Sequence, residues 1–129
     1  MGTRYILDSN AVIDYVGNKL PITAALAMDK LIDNELNISI IVKIEVLGFE
    51  DTPTEMLKLT GFLALANIFY VDDVIANETI DLRKNYTKLK LGDAIIAATA
   101  LVHGLTIISR NTKDFQNIIG LVSVNPHEL

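Results

Sequence analysis

Tyr5-Ile6-Leu7-Asp8-Ser9-Asn10-Ala11-Val12-Ile13-Asp14-Tyr15-Val16 reads as a short strand over the first three residues, an acid, and a short helix from Ala11 to Val16. Strand, carboxylate, helix is an order that returns along the chain, and it predicts βαβ units built around a parallel sheet.

Working outward, Pro21 opens a longer helix in which Ala25, Met28, Leu31 and Ile32 recur at helical spacing, and Ile38 to Val42 reads as the second strand. The helix over Asp51 to Asn67 has a clear start. Thr52 is its N-cap, Pro53 its first helical residue and Glu55 the partner in a capping box, with Met56, Leu59, Leu63 and Ala66 facing a core. Ile68 to Val71 makes a third strand, Asp72 and Asp73 cap the next helix, and a helix over Asp93 to His103 ends at Gly104. Leu105 to Ser109 and Leu121 to Val124 are the fourth and fifth strands. No linker, repeat or low-complexity tract divides the chain, so a single α/β domain over residues 1–129 is expected.

Composition agrees with that frame. Of 129 residues, half are hydrophobic and 21% charged, which excludes disorder and suits a core large enough to fold without disulfides or structural zinc. There is no cysteine, consistent with a reducing compartment, and the amino terminus lacks the pattern of a cleaved signal, so a cytoplasmic location is expected. The longest nearly apolar segment, Ala94 to Val102, is far short of the roughly 20 residues that cross a bilayer. Net charge is −5, which taken alone argues against a nucleic-acid partner. The objection weakens because the basic residues cluster: Arg83, Lys84, Lys88 and Lys90 lie close together and, with Arg110, are candidates for phosphate contacts, although a solvated helix face is the plainer reading for most of them.

Four acids stand apart from the rest by position. Asp8 follows the first strand, Glu45 lies just past the second at the start of a helical turn, Asp93 opens its helix, and Asp114 follows the fourth strand after a short loop. In an open parallel sheet, the carboxyl ends of the strands border the ligand crevice. Plainer readings exist for three of them, since Asp8 and Asp93 suit N-caps and Asp114 a turn with Asn111 and Thr112. Glu45, among Ile44, Val46 and Leu47, reads instead as an acid awkwardly placed in a core. Asp14, Asp51 and Asp81 read as solvated, and His103 and His127 as a helix end and a tail residue rather than catalytic bases.

Two carboxylates about 5 Å apart repel by roughly 3 kcal/mol at an effective dielectric near 20, so the cluster calls for a cation. With only oxygen ligands on offer, one or two Mg²⁺ or Mn²⁺ ions suit it better than zinc. Ions of this kind activate water and phosphate, and phosphodiester hydrolysis is the chemistry expected. Asn10 and Asn111 suit either the orientation of the carboxylates and their waters or local turns, and Ser109 either a hydrogen bond to a carboxylate or phosphate oxygen or the end of its strand.

Ile6-Leu7-Asp8-Ser9-Asn10, the segment from Ser39 to Glu45, Gly92-Asp93-Ala94-Ile95-Ile96-Ala97-Ala98-Thr99-Ala100 and Ser109-Arg110-Asn111-Thr112-Lys113-Asp114-Phe115 together resemble the successive signature blocks of PIN-domain proteins, above all the VapC toxins of toxin–antitoxin pairs. The resemblance runs almost end to end in the same order. It implies a three-layer α/β/α domain with a mostly parallel central sheet, acting as a Mg²⁺- or Mn²⁺-dependent endoribonuclease on RNA, homodimeric and blocked by a cognate antitoxin. By similarity, Asp8, Glu45, Asp93 and Asp114 match the family's acidic site, and Asn10, Ser109 and Asn111 its polar supporting positions. Ser9 and Ser109 stand where threonine is common in the family, a departure that keeps the hydroxyl.

Two other classes compete. A receiver-type phosphoacceptor also gathers acids at strand ends and binds Mg²⁺; Val71-Asp72 mimics its acceptor, but Leu105 to Ser109 leads into Ser-Arg-Asn where that class needs a lysine. A PIN-like module that binds RNA or protein without cutting would have no need of all four acids. Phosphatases with a second aspartate two residues after the first fail because position 10 is asparagine.

Overall fold

Every strand pairing in the structure is parallel, as expected of strands linked through helices. The structure is a computed structural model and describes residues 2–129. In chain order its elements are β1 (Tyr5–Leu7), α1 (Ser9–Val16), α2 (Ile22–Asn34), β2 (Asn37–Ser39), α3 (Ile40–Leu47), α4 (Pro53–Leu63), β3 (Asn67–Phe69), α5 (Asp73–Asn85), α6 (Leu91–His103), β4 (Thr106–Ile108) and β5 (Ser123–Val124), with short 3-10 turns at Thr112–Asp114 and Pro126–Glu128. Helices cover the strands in a three-layer α/β/α arrangement. No helix among the described residues is long and apolar enough to cross a membrane.

β4 lies between β1 and β5, and β2 pairs with β3. The two groups meet at β1 and β2, where a side chain replaces the backbone ladder. The buried Asn37 amide donates to the Tyr5 carbonyl at 2.9 Å and its oxygen accepts from Asn67 Nδ2 at 3.2 Å. Ile6, Ile38, Ile107 and Ile108 are fully enclosed, as in a sheet covered on both faces. Val12, Met28, Val42, Val46, Ala97 and Phe115 pack around them.

The elements differ from expectation where local capping overrides propensity. Ile38 to Val42 is not one strand: β2 ends at Ser39, whose hydroxyl accepts from Ile41 N at 3.2 Å and starts α3 through a β-branched run. The helix expected to reach Asn67 stops at Leu63, and its capping box is only half formed. Thr52 Oγ1 accepts from Glu55 N, but the Glu55 carboxylate turns to Lys58 and Thr52 N is taken by Asp51. α6 starts at Leu91, two residues earlier than read, and ends at Gly104 in the left-handed conformation glycine supplies.

Asp14, read as solvated, is 1% exposed. It follows the buried Ala11 by three positions, which puts it on the inward face of α1. Both its oxygens lie 3.2 Å from Arg110 Nη1, and one lies 2.9 Å from His127 Nε2. One buried carboxylate therefore ties the loop after β4 and the C-terminal turn to the first helix. Asp14→Ala is expected to lower the unfolding free energy by about 2–3 kcal/mol, read from the denaturant midpoint, because two charge-assisted contacts are lost. A negligible change would mean that Arg110 and His127 are held by other contacts.

Candidate functional site

Parallel register brings the first two site residues together. Leu7 sits opposite Ile108, so the next residues, Asp8 and Ser109, leave adjacent strand ends side by side. The backbone continues the ladder one step, with Asp8 N donating to Ile108 O at 3.0 Å, and the buried Ser109 hydroxyl then donates to Asp8 Oδ2 at 2.7 Å. Asp8 also N-caps α1, accepting from Ser9 N, so capping and site geometry are held by the same carboxylate.

Asn10 and Asn111 lock this corner. Asn10 Nδ2 approaches Asp8 Oδ2 and Ser109 Oγ at 3.4 Å each, while its oxygen accepts from Arg110 N at 2.8 Å. Asn111 contributes through its backbone, N–H to Ser109 Oγ at 3.0 Å. The serine hydroxyl thus has its donor and acceptor capacity committed, which fixes the direction from which Asp8 presents its free lone pairs.

Glu45 reaches the corner from α3. It lies in the last turn of that helix and is exposed, so the reading of a carboxylate trapped in a core is corrected: Val42 and Val46 face inward while Ile44 and Glu45 face out. Ser9 Oγ donates to Glu45 Oε1 at 2.7 Å. On the other side Glu45 Oε2 lies against the first turn of α6, 3.4 Å from where a methyl group at Gly92 would stand. That distance is ordinary van der Waals contact, so the Glu45 carboxylate and the start of α6 are close neighbours. Ser9 and Gly92 are parts of the site that spacing alone did not single out; Ser9 is one residue after the strand-end acid, where a hydroxyl was the available signal.

Asp93, in the first turn of α6, is half-buried, and Asp114, in the 3-10 turn after β4, is exposed above the buried Phe115. No side-chain hydrogen bond among the described residues engages either carboxylate. The charge of the neighbouring acids is felt at Asp93 and at Asp8. Burial and then the negative charges of Asp8 and Asp114 push the Asp93 carboxyl up to about 6, with Glu45 adding and Lys90 opposing. Asp8 is also raised, mainly by burial, against the pull of its Ser109 and Ser9 hydrogen bonds, and Glu45 and Asp114 add to the rise. Among the described residues no three acidic or histidine side chains close tightly round one point, and none of the four acids is in an ion pair.

The basic candidates separate. Arg110 turns its guanidinium to Asp14. Arg83 and Lys84 are exposed in the last turn of α5, outside the cavity that Lys88, Lys90 and Lys113 border together with Asp93 and Asp114. Asp72 caps α5 by accepting from Ile75 N at 2.9 Å, a capping duty rather than that of a phosphoacceptor.

Comparison with known proteins agrees with this architecture. The PIN domain family profile matches residues 5–121. A chain of a toxin–antitoxin complex from Klebsiella pneumoniae is 34% identical, with 97% of this chain and 99% of that one covered and a TM-score of 0.74. FitAcB from Neisseria gonorrhoeae is 25% identical over 97% and 99% of the two chains, TM-score 0.78. VapBC2 from Rickettsia felis, bound to a promoter DNA fragment, is 22% identical over 95% and 98%, TM-score 0.81, and bears on the fold alone. No curated protein matches significantly. The chain belongs to the PIN-domain family, and within it resembles the VapC-type toxins.

Proposed function

We propose that the protein is a divalent-metal-dependent endoribonuclease, the toxin of a toxin–antitoxin pair, that hydrolyses RNA phosphodiester bonds at the crevice of Asp8, Glu45, Asp93 and Asp114. The observation that carries this reading is the concentration of negative charge: burial and the neighbouring acids raise Asp8 and push Asp93 up to about 6, and among the described residues no basic side chain is paired to any of the four acids. Membership of the PIN-domain family supports it.

The donor set fits a hard cation, since every candidate ligand is an oxygen. Mg²⁺ is commonly satisfied by one or two carboxylates with waters and a substrate phosphate, which suits acids ranged round a crevice rather than closed on a point. Mn²⁺ shares that chemistry, and one or two such ions are expected at the four acids. When bound, such an ion supplies positive charge to the phosphate and lowers the pKa of water. The protein's own contribution is placement. Asp8 is aimed by Ser109, Ser9 and Asn10; Glu45 is held by Ser9; Asp93 and Asp114 bring charge from α6 and from the turn anchored by Phe115.

The Klebsiella pneumoniae relative is described as part of a toxin–antitoxin complex, and we extend that arrangement to this chain. An acidic crevice lets an antitoxin arginine or lysine take the cation's position, and inhibition follows. Exposed large apolar residues such as Ile22, Leu26, Ile44 and Val74 offer surface for the antitoxin and for a second copy in a homodimer, with the cytoplasm as the place of action.

Purified protein is expected to cleave structured RNA with Mg²⁺ or Mn²⁺ and not with chelator, and Asp8→Asn and Asp93→Asn to reduce cleavage by about a hundredfold or more while circular dichroism is unchanged. Cleavage retained by both variants, or equal with chelator, would refute the assignment.

Stability adds a separate test. The folded Asp93 carboxyl binds its proton more tightly than the unfolded one, so this group's contribution to metal-free stability is lost as pH rises from about 4 to about 6. For a half-exposed group the cost is about 1 kcal/mol after solvent screening. At neutral pH, Asp93→Asn or saturating Mg²⁺ should each raise the melting temperature by roughly 3 °C. A lower melting temperature in Asp93→Asn would contradict the repulsion.

A further inference from the structure

Next to the acids lies a cavity of about 470 Å³, walled by the loop between α5 and α6 and by the segment after the 3-10 turn at Thr112–Asp114. It shares Asp93 and Asp114 with the acidic crevice at one end. Its size is in the range of pockets that hold small organic groups. Its lining is of three kinds. Leu89 and Ile118, both nearly buried, and the ring of Tyr86 provide an apolar, partly aromatic wall. Asn85, Thr87 and Asn117 provide neutral donors and acceptors, and Lys88, Lys90 and Lys113 provide three cations.

The wall is rigidly built. Tyr86 Oη accepts from Ile119 N at 3.2 Å, and Leu89 N donates to the Tyr86 carbonyl at 3.0 Å, so the loop and the segment opposite are tied across the cavity. None of the three lysines takes part in an ion pair among the described residues, whereas Arg4, Lys58 and Arg110 do. In a chain of net charge −5, three unpaired cations are gathered beside two unpaired acids. Cations to hold phosphates, an aromatic and aliphatic wall for a ring, and amides for its edge are what a single-stranded nucleotide requires.

We propose that this cavity seats the nucleotide adjacent to the scissile phosphate of single-stranded RNA, its base splayed against Tyr86, Leu89 and Ile118 and its flanking phosphates held by Lys88, Lys90 and Lys113. The proposal rests on the nuclease reading of the neighbouring acids. Of the basic residues that the sequence suggests for phosphate contacts it keeps Lys88 and Lys90, drops Arg83, Lys84 and Arg110, and adds Lys113, more than twenty positions further on. It also reconciles an acidic protein with a polyanionic substrate: the strand enters over the lysines and meets the acids only at the bond to be cut.

The test is RNA binding by fluorescence anisotropy in Mg²⁺, using full-length Asp8→Asn protein so that cleavage does not interfere, with a labelled single-stranded RNA and the same RNA annealed to its complement. Lys88→Ala/Lys113→Ala should weaken single-strand binding tenfold or more and flatten its dependence on log salt by about 1.4, since each lost phosphate contact contributes roughly 0.7. Arg83→Ala/Lys84→Ala removes the same charge from exposed positions outside the cavity and should change affinity less than twofold. The duplex should bind at least tenfold more weakly than the single strand, because its bases are not free to enter. Equal losses in the two double variants would reduce the effect to general charge and overturn the proposal, as would tight duplex binding. Should wild-type protein bind RNA in this pattern yet fail to cleave it, the cavity assignment stands and the nuclease reading falls; cleavage with no selective loss in the Lys88/Lys113 variant has the opposite meaning.

Discussion

The hydrogen bond from Ser109 to Asp8, 2.7 Å across the carboxyl ends of β4 and β1, is the contact on which the rest of the site depends. It exists because parallel register sets Leu7 opposite Ile108 and leaves the next residue of each strand facing the other. Burial alone drives the Asp8 carboxyl toward its neutral form; the Ser109 hydroxyl and the Ser9 amide resist that, and so keep a charge available where the fold would otherwise suppress it. The other acids are arranged around this anchored one. Glu45 is steadied by Ser9, the residue after Asp8, and the Asp93 carboxyl is raised by burial first and then by the charge of Asp8.

Asp14 shows the same economy on the structural side. A second carboxylate on α1, six residues after Asp8, is spent on the fold: it holds Arg110 and His127, and Arg110 belongs to the very loop whose amide is gripped by Asn10. The loop that carries Ser109 and Asn111 is therefore clamped at two points on one helix. Positioning at the site and stability of the C-terminal turn are mechanically linked through it, with the carboxylate buried and its two basic partners reaching it from the surface.

Much of this was legible in the chain. Asp8, Asp93 and Asp114 stand out because an acid after an apolar run marks a strand end or helix start, and the structure has them after β1, in the first turn of α6 and in the turn after β4. Glu45 was reached partly for the wrong reason. Its neighbours Ile44, Val46 and Leu47 suggested a core, yet on a helix with Val42 and Val46 inward it faces solvent and the crevice. The strand expected over Ile38 to Val42 failed similarly, because β-branched propensity favoured a strand where the Ser39 cap started a helix. Asp14 carried a usable signal, three residues after buried Ala11, but its partners lie 96 and 113 positions away, beyond any local pattern. Nor could spacing tell which lysines border the acids, since Lys113 joins Lys88 and Lys90 only through the tertiary fold.

The central claim is that Asp93, raised by burial and by the acids beside it, belongs to a carboxylate site that a divalent cation completes. It is tested most directly by following the Asp93 carboxyl carbon by NMR as pH is varied, with and without saturating Mg²⁺. The account predicts a midpoint near 6 in the metal-free protein, falling by more than about one pH unit when Mg²⁺ is present. A midpoint near the ordinary value of about 4 that Mg²⁺ leaves in place would contradict it.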